Sequence, residues 1–529
     1  MLRVALTLLA LNIGLLALEI PRHAGMGPNW LAMEALALTG LFMLVPRRRW
    51  SGVLAALLGL AALLLTLMAL LDALARLSLS RPLNVYLDYP LITSVYDLAV
   101  ANLPIPVALA AVAGLTLILA GIALGVTRLL TGLRRDTAGA AWRWLGGALL
   151  TAGLAGVISV QTQPIVPRAI SPAVTMVTDQ AGWAVRTHRE SAAFERQLAA
   201  GGGAREPLPL RQLEGVDVIV GFIESYGVSA VFDDRYAPVI RPRLIDMEQR
   251  LDAAGLHVVT GTLDAPTFGG QSWLAHATTL SGLWVDNQLR YELLLDTERH
   301  TLVDDFRATG HHTVVVMPAI TQDWPEGRWY GFDAIFEADD MDYEGPPFNW
   351  VTMPDQYTWW FFEQSVRQAR EDPVFGVLAL ISSHAPWVPV LPVIERWETI
   401  GDGAVFRQWE GIGESPESLW RDHDRVRDHF VLSVDYALNV ATGYAERFVA
   451  EDTLLVVIGD HQPARLITGP EPSAGVPVHV ISGDPALLEP LRARGFTPGV
   501  TPAHEQGQAG MDVLIDWFRA DYGDVAPSP

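Results

Sequence analysis

The chain has 529 residues, 37 basic against 59 acidic side chains for a net charge of −22, and no cysteine. Disulfide staples and thiolate metal sites are therefore excluded, and so acidic a balance argues against a nucleic-acid partner. The charge is also split: residues 1–165 hold 11 arginines and 6 acidic residues, net +5, and the remainder 26 and 53, net −27, with no lysine anywhere.

Five apolar stretches in the first part are candidates to cross a bilayer: Val4–Ile20, Trp30–Val45, Gly52–Leu71, Pro104–Val126 and Trp144–Val160. Each is near the roughly 20 residues that a spanning helix needs, the second being short. The first has only Arg3 ahead of it and no good small-residue cleavage site before Pro21, so it reads as a retained helix rather than a signal peptide. Arginines cluster at 47–49 and at 128, 134, 135 and 143. Positive-inside bias puts those loops and the amino terminus in the cytoplasm, and everything after Val160 on the outer side of a bacterial-type plasma membrane. Arg76–Leu103, also outer, reads either as an interfacial re-entry or as a plain surface loop. The expected division is 1–163 for five membrane helices, 164–213 for a linker and 214–529 for an outer domain. In the linker, Pro164, Pro167 and Pro172 break regular structure, Trp183–Leu198 has the period of a surface helix, and Gly201–Gly203 marks a joint.

From Val216 onward apolar strands alternate with amphipathic helices. Strands are expected at Val216–Ile223, His257–Thr262, Thr313–Met317, Ala334–Phe336, Val374–Ile381, Leu454–Ile458 and Val476–Ile481. Helices fall near Arg241–Ala254, Trp273–Leu283, Thr301–Thr309, Tyr357–Arg370, Asp424–Ala450 and Gly510–Ala520. The alternation predicts an α/β domain with a mainly parallel sheet covered on both faces. Trp387–Ser418, rich in Trp and Pro, is expected to be a long excursion packed on that domain.

Four strand ends and helix starts carry chemistry. LLVVIGDHQP reads as a buried strand whose glycine, Gly459, lets the chain turn so that Asp460 and His461 enter the crevice beyond the sheet, where ligands bind in open α/β folds. Carboxylate plus imidazole suits zinc or manganese. VDVIVGFIESYG brings Glu224 to a second strand end, and VLALISSHAPW places His384 just past a third. In PTFGGQSWLAH, Ser272 follows two glycines at a helix opening, where backbone N–H groups favour an anion. A capping role alone would also explain that serine.

The ordered motifs IES at Ile223–Ser225, GGQSW at Gly269–Trp273, SSH at Ser382–His384 and GDHQ at Gly459–Gln462, with the GFD-like segment Arg328–Asp333, follow the five apolar stretches. Together they resemble the lipoteichoic acid synthase-like branch of the alkaline phosphatase and sulfatase superfamily. That resemblance implies one divalent ion, manganese first with zinc or magnesium as alternatives, held by Glu224, Asp460, His461 and the Ser272 hydroxyl. It makes Ser272 the nucleophile and His384 a catalytic residue that contacts the substrate phosphate or leaving group. Threonine is usual at the nucleophile position, so Thr267 and Thr278 stay open as substitutes. Trp324 and Arg328 match the family's substrate-binding pair only loosely. The implied reaction transfers or hydrolyses a phospholipid head group such as phosphoglycerol, with a membrane phospholipid as donor and a glycan or lipid of the cell envelope as acceptor. A catalytically inactive lipid-sensing or scaffold protein of the same fold is the alternative. His311, His312, His423, His429 and His479 read as structural, with His479 or Asp435 as the first suspects should a second metal exist.

Overall fold

The computed structural model describes residues 1–20, 29–78, 81–89, 105–134, 139–162, 168–200, 206–470 and 472–523. It divides into two units, Met1–Ala192 and Ala193–Pro529.

The first unit contains helices at all five expected places: α1 (Leu2–Ala17), α2 (Met33–Leu44), α3 (Arg49–Ser78), α4 (Ile105–Leu133) and α5 (Ala140–Thr162). Three are long and apolar enough to cross a membrane, over Arg49–Arg76, Pro106–Leu133 and Ala140–Thr162. The other two, with 16 and 12 residues, extend about 24 and 18 Å against a hydrocarbon core of about 30 Å. The expected five crossings are thus three full-length helices and two short ones. Lipid supplies no hydrophobic drive between such helices, so backbones must approach closely to gain dispersion contact. α2 and α5 do this through glycine: a Cβ on Gly40 would strike the backbone of Leu150 and Gly146, and one on Gly153 the backbone of Ala37. Of the outer stretch Arg76–Leu103, only residues up to 89 are described, and they include one helical turn at Val85–Asp88.

The linker helix is longer than expected, α6 running from Pro172 to Ala200. Pro172 opens it rather than breaking it, because the first helical position has no intrahelical use for an N–H. Gly201–Gly203 lies outside the described residues.

The second unit is built on one sheet. Its strands are β1 (Asp217–Ile223), β2 (His257–Asp264), β3 (His312–Met317), β4 (Ala334–Glu337), β5 (Val374–Leu380), β6 (Thr453–Gly459), β7 (Gly475–Ser482) and β8 (Thr497–Pro498). The order is β8-β2-β7-β6-β1-β5-β3-β4. Strands β6, β1, β5, β3 and β4 are mutually parallel, while β7 runs antiparallel to β6, β2 to β7 and β8 to β2. All seven expected strands are present, and only the two-residue edge strand β8 has no counterpart in the sequence reading.

Each central strand buries both faces, which is why it reads as a continuous apolar run rather than an alternation. Ile219, Leu378 and Leu455 join one core with α7 (Ala237–Ala253) and the later 26-residue helix His423–Phe448. Val220, Val377 and Val456 join the other with α8 (Ser272–Ser281) and the carboxyl-terminal helix Leu514–Tyr522. Trp387, Leu391, Trp397 and Phe406 of the long excursion are buried in the first core, as expected.

Candidate metal and nucleophile site

The register of the three central strands sets the site. Ile223 at the end of β1 lies opposite Gly459 of β6 and Leu380 of β5. The next residues, Glu224, Asp460 and Ile381, therefore leave the sheet side by side. Gly459 is needed for close approach rather than for a sharp turn: it lies in extended strand, and a Cβ there would overlap the Tyr226 carbonyl.

Ser272 arrives from further away. After β2 the chain crosses to the Asp460 loop, where the Gly269 N–H donates to the Gln462 carbonyl at 2.8 Å and Phe268 bridges to Gln462. Gly269, Gly270 and Gln271 then adopt φ of 70°, 144° and 65°, and Ser272 begins α8. Ser225, directly after Glu224, is also left-handed at φ 58°. Such backbone at non-glycine residues is uncommon and costs energy unless its surroundings hold it. Here it flanks both the carboxylate and the serine.

The four side chains meet. Ser272 Oγ lies 2.9 Å from Glu224 Oε2 and 3.2 Å from His461 Nε2. His461 Nε2 is 3.4 Å from Glu224 Oε1 and 3.8 Å from Asp460 Oδ2. His461 Nδ1 donates to the Gln462 carbonyl at 2.9 Å, which leaves the Nε2 lone pair facing the cluster. Asp460 Oδ1 accepts from the N–H groups of Ser225 (2.8 Å) and His461 (2.6 Å), so that Oδ2 is turned inward. Ser225 Oγ donates to Glu224 Oε1 at 2.7 Å.

This donor set fits a divalent cation. The ligand atoms of Glu224, Asp460 and His461 all lie within 4.8 Å of one another, and atoms bound tetrahedrally at about 2.1 Å would be about 3.4 Å apart. The electrostatics agree. Burial raises the Glu224 pKa, but His461 and His384 outweigh it and bring the group down to about 2. Asp460 is pushed well above the usual carboxylate range by burial and by the Glu224 charge. Two buried acids therefore compete for one negative charge, a conflict that a cation between them removes.

The neighbouring loop is tied in from behind. Ser383 Oγ donates to the Glu224 carbonyl at 2.6 Å. Asp355, fully buried, accepts from the N–H groups of both Ile381 and Ser382 at 2.8 Å, and its own N–H donates to Ser382 Oγ at 2.8 Å. Burial raises its pKa to about 6. His384 is exposed at the mouth, Nδ1 2.6 Å from the Ala385 carbonyl oxygen, with the Trp350 ring 6.3 Å away.

Other expected residues lie elsewhere. Trp324 packs over Gly327 and against Tyr330, and Arg328 is exposed on a short helix; neither takes part in the contacts that hold the cluster. Thr278 Oγ1 accepts from the Val285 N–H, beyond the end of α8, and Thr267 Oγ1 is buried without a partner. Of the three hydroxyls considered, Ser272 is the one with contacts to Glu224 and His461. Asp435 is paired with Arg243 at 2.8 Å, and His479 is held between Tyr226 and Thr260. Among the described residues one group of side chains can hold a metal.

Sequence reasoning missed Asp355, whose place after a proline at a helix start reads as a cap. It also missed His276, one turn beyond Ser272. That ring is buried against Phe222 with Nε2 unpartnered, and burial brings its pKa down to about 4 although Glu224 pulls the other way.

Residues 277–476, which include His384, Asp460 and His461, match the family model described as Sulfatase. The second unit is of the alkaline phosphatase/sulfatase superfamily. The match starts after Glu224 and Ser272, so those two positions rest on geometry. No curated protein matches the chain in sequence. Solved structures similar to this sulfatase-like chain include the lipoteichoic acid synthase LtaP of Listeria monocytogenes, at 12% identity and TM-score 0.38 over 58% of this chain and 71% of that one. The lipooligosaccharide phosphoethanolamine transferase EptA of Neisseria meningitidis aligns at 10% and 0.39 over 76% and 74%. The phosphoglycerol transferase GacH of Streptococcus pyogenes, in complex with sn-glycerol-1-phosphate, aligns at 13% and 0.35 over 64% and 86%. Likeness this slight assigns no residue a role.

Proposed function

We propose that the chain is a membrane-anchored, metal-dependent transferase that moves a phospholipid head group, of the phosphoglycerol or phosphoethanolamine class, through a covalent bond to Ser272. The observation that carries this reading is the position of Ser272 Oγ, within hydrogen-bonding distance of both Glu224 and His461 where three ligand atoms converge.

Glu224, Asp460 and His461 would hold one divalent ion, with manganese the first choice and zinc or magnesium the alternatives. When bound, the ion supplies Lewis-acid stabilisation and favours the deprotonated hydroxyl. Ser272 Oγ attacks the phosphorus of the donor's diester, its proton accepted by a neighbouring base. The P–O bond to the lipid breaks, and diacylglycerol leaves with a proton that His384, exposed at the mouth, can deliver. An acceptor hydroxyl, or water in a hydrolase, then displaces Ser272 with His384 taking its proton, so the kinetics are ping-pong. The apolar helices keep the domain beside its lipid donor. The arginine bias supports an outer location for that domain and a cytoplasmic amino terminus. Trp324 and Arg328 remain candidates for substrate contact only if their loop moves toward the site.

Incubating the full chain in mixed micelles with fluorescent phosphatidylglycerol and manganese tests the proposal. Release of fluorescent diacylglycerol, abolished by chelator, is the expected result. Intact lipid with manganese, zinc and magnesium alike contradicts it.

A further inference from the structure

Three tryptophans expose much of their rings although each is one contact from a site element. Trp273, 37% exposed, follows Ser272; Trp350, 49% exposed, faces the His384 ring; and Trp420, 39% exposed, stacks at 5.7 Å and 7° on Trp387. The Trp387 indole in turn donates to the Ser383 carbonyl at 2.7 Å. We propose that these exposed rings are the acceptor platform, and that the acceptor they take is an uncharged saccharide. This rests on the transferase reading and names its second substrate.

Two observations favour a saccharide over a lipid surface. Tryptophan at a bilayer interface uses its N–H toward water and head groups. Here Trp273 Nε1 donates to Gln288 Oε1 at 3.1 Å and Trp420 Nε1 to the Pro386 carbonyl at 3.4 Å. Rings fixed in this way offer only their faces, and pre-orientation lowers the entropy cost of binding. The π face carries the negative end of the ring quadrupole, which suits the polarised C–H face of a sugar ring. The second observation is charge: with a net −27 after residue 165, the domain is repelled by an anionic bilayer and indifferent to a neutral sugar. In the second half-reaction the saccharide's hydroxyl oxygen forms the new bond to phosphorus while the bond from Ser272 Oγ breaks. The hydroxyl proton ends on Ser272 Oγ, regenerating the serine.

The test titrates the full-length Ser272→Ala protein in micelles with neutral tetrasaccharides of glucose and of N-acetylglucosamine, by calorimetry. Saturable binding is expected, weakened at least about tenfold by Trp273→Ala or Trp350→Ala and largely retained by Trp273→Phe or Trp350→Phe. In the active protein the same alanine substitutions should raise KM for the saccharide and not KM for phosphatidylglycerol. Absence of saccharide binding, equal affinity in the alanine variants, or a shift confined to the donor KM would overturn the proposal. Saccharide binding by a wild-type protein that releases no diacylglycerol would instead keep the platform and overturn the transferase reading.

Discussion

Two fully buried histidines on neighbouring strands of one sheet show what distinguishes a site from a scaffold. His479, within β7, is saturated: Nδ1 meets Thr260 Oγ1 at 2.9 Å, Nε2 meets the Tyr226 hydroxyl at 3.0 Å, and Thr260 passes its own proton to the Gly499 carbonyl at 2.7 Å. Every donor has one acceptor, no formal charge is present, and the network is complete. His461, just past β6, is the reverse. Its Nε2 faces two carboxylates and a hydroxyl, a collection of acceptors with a single serine proton among them. A buried cluster short of positive charge is costly unless a cation belongs there. Side-chain identity does not separate the two residues, but the balance of donors and acceptors around them does.

The comparison can be broken most severely at the serine. Ser272→Ala should lower diacylglycerol release by at least about a thousandfold while the protein still binds manganese, as measured by metal content after gel filtration. Loss of metal with retained turnover would reverse the roles assigned to the two sides of the cluster. Glu224→Gln keeps shape but removes charge, and should cost both metal and activity. Next in size come the groups that support the cluster from behind. Ser383→Ala deletes the bond to the Glu224 carbonyl and should weaken metal affinity or kcat by about 10- to 100-fold, the usual range for partners that orient ligands. Asp355→Asn keeps an acceptor for the Ile381 and Ser382 N–H groups, so a loss well under tenfold in kcat is expected; Asp355→Ala should cost more.

The smallest effect on turnover is expected at His479. His479→Gln should leave kcat and metal content unchanged while lowering unfolding stability by about 1–3 kcal/mol, since its partners lose fitted bonds. Burial brings the pKa of His479 from 6.5 down to about 3. The unfolded chain therefore binds a proton that the folded chain refuses. The stability this represents is fully present above pH 6.5 and is lost as pH falls toward 3. Thermal melts of the variant over that window should show a shallower acid slope than wild type.

Much of this was legible in the chain because the strands are buried on both faces and so announce themselves as short, β-branched apolar runs. The site was legible for the same reason: Glu224, His384 and Asp460–His461 directly follow such runs, and parallel strands bring their carboxyl ends to one edge. Ser272 was visible through its glycines. Asp355 was not, because its work lies in backbone bonds 26 and 27 residues away, which no local pattern records. The antiparallel edge was hidden too, since β7 reads as apolar as the parallel strands. In the first unit, apolarity located α1 and α2 but not their ends, which a short bridge of Leu31–Ala32 to Ala169–Ile170 helps to set.

Trapping the covalent intermediate tests the central claim most directly. Full-length protein would be mixed with labelled phosphatidylglycerol without acceptor, quenched in acid, digested and mapped by mass spectrometry. The account predicts a phosphoglycerol adduct on Ser272, absent when metal is chelated. An adduct on Thr267, Thr278 or any other residue, or diacylglycerol release with no adduct at any time, would contradict it.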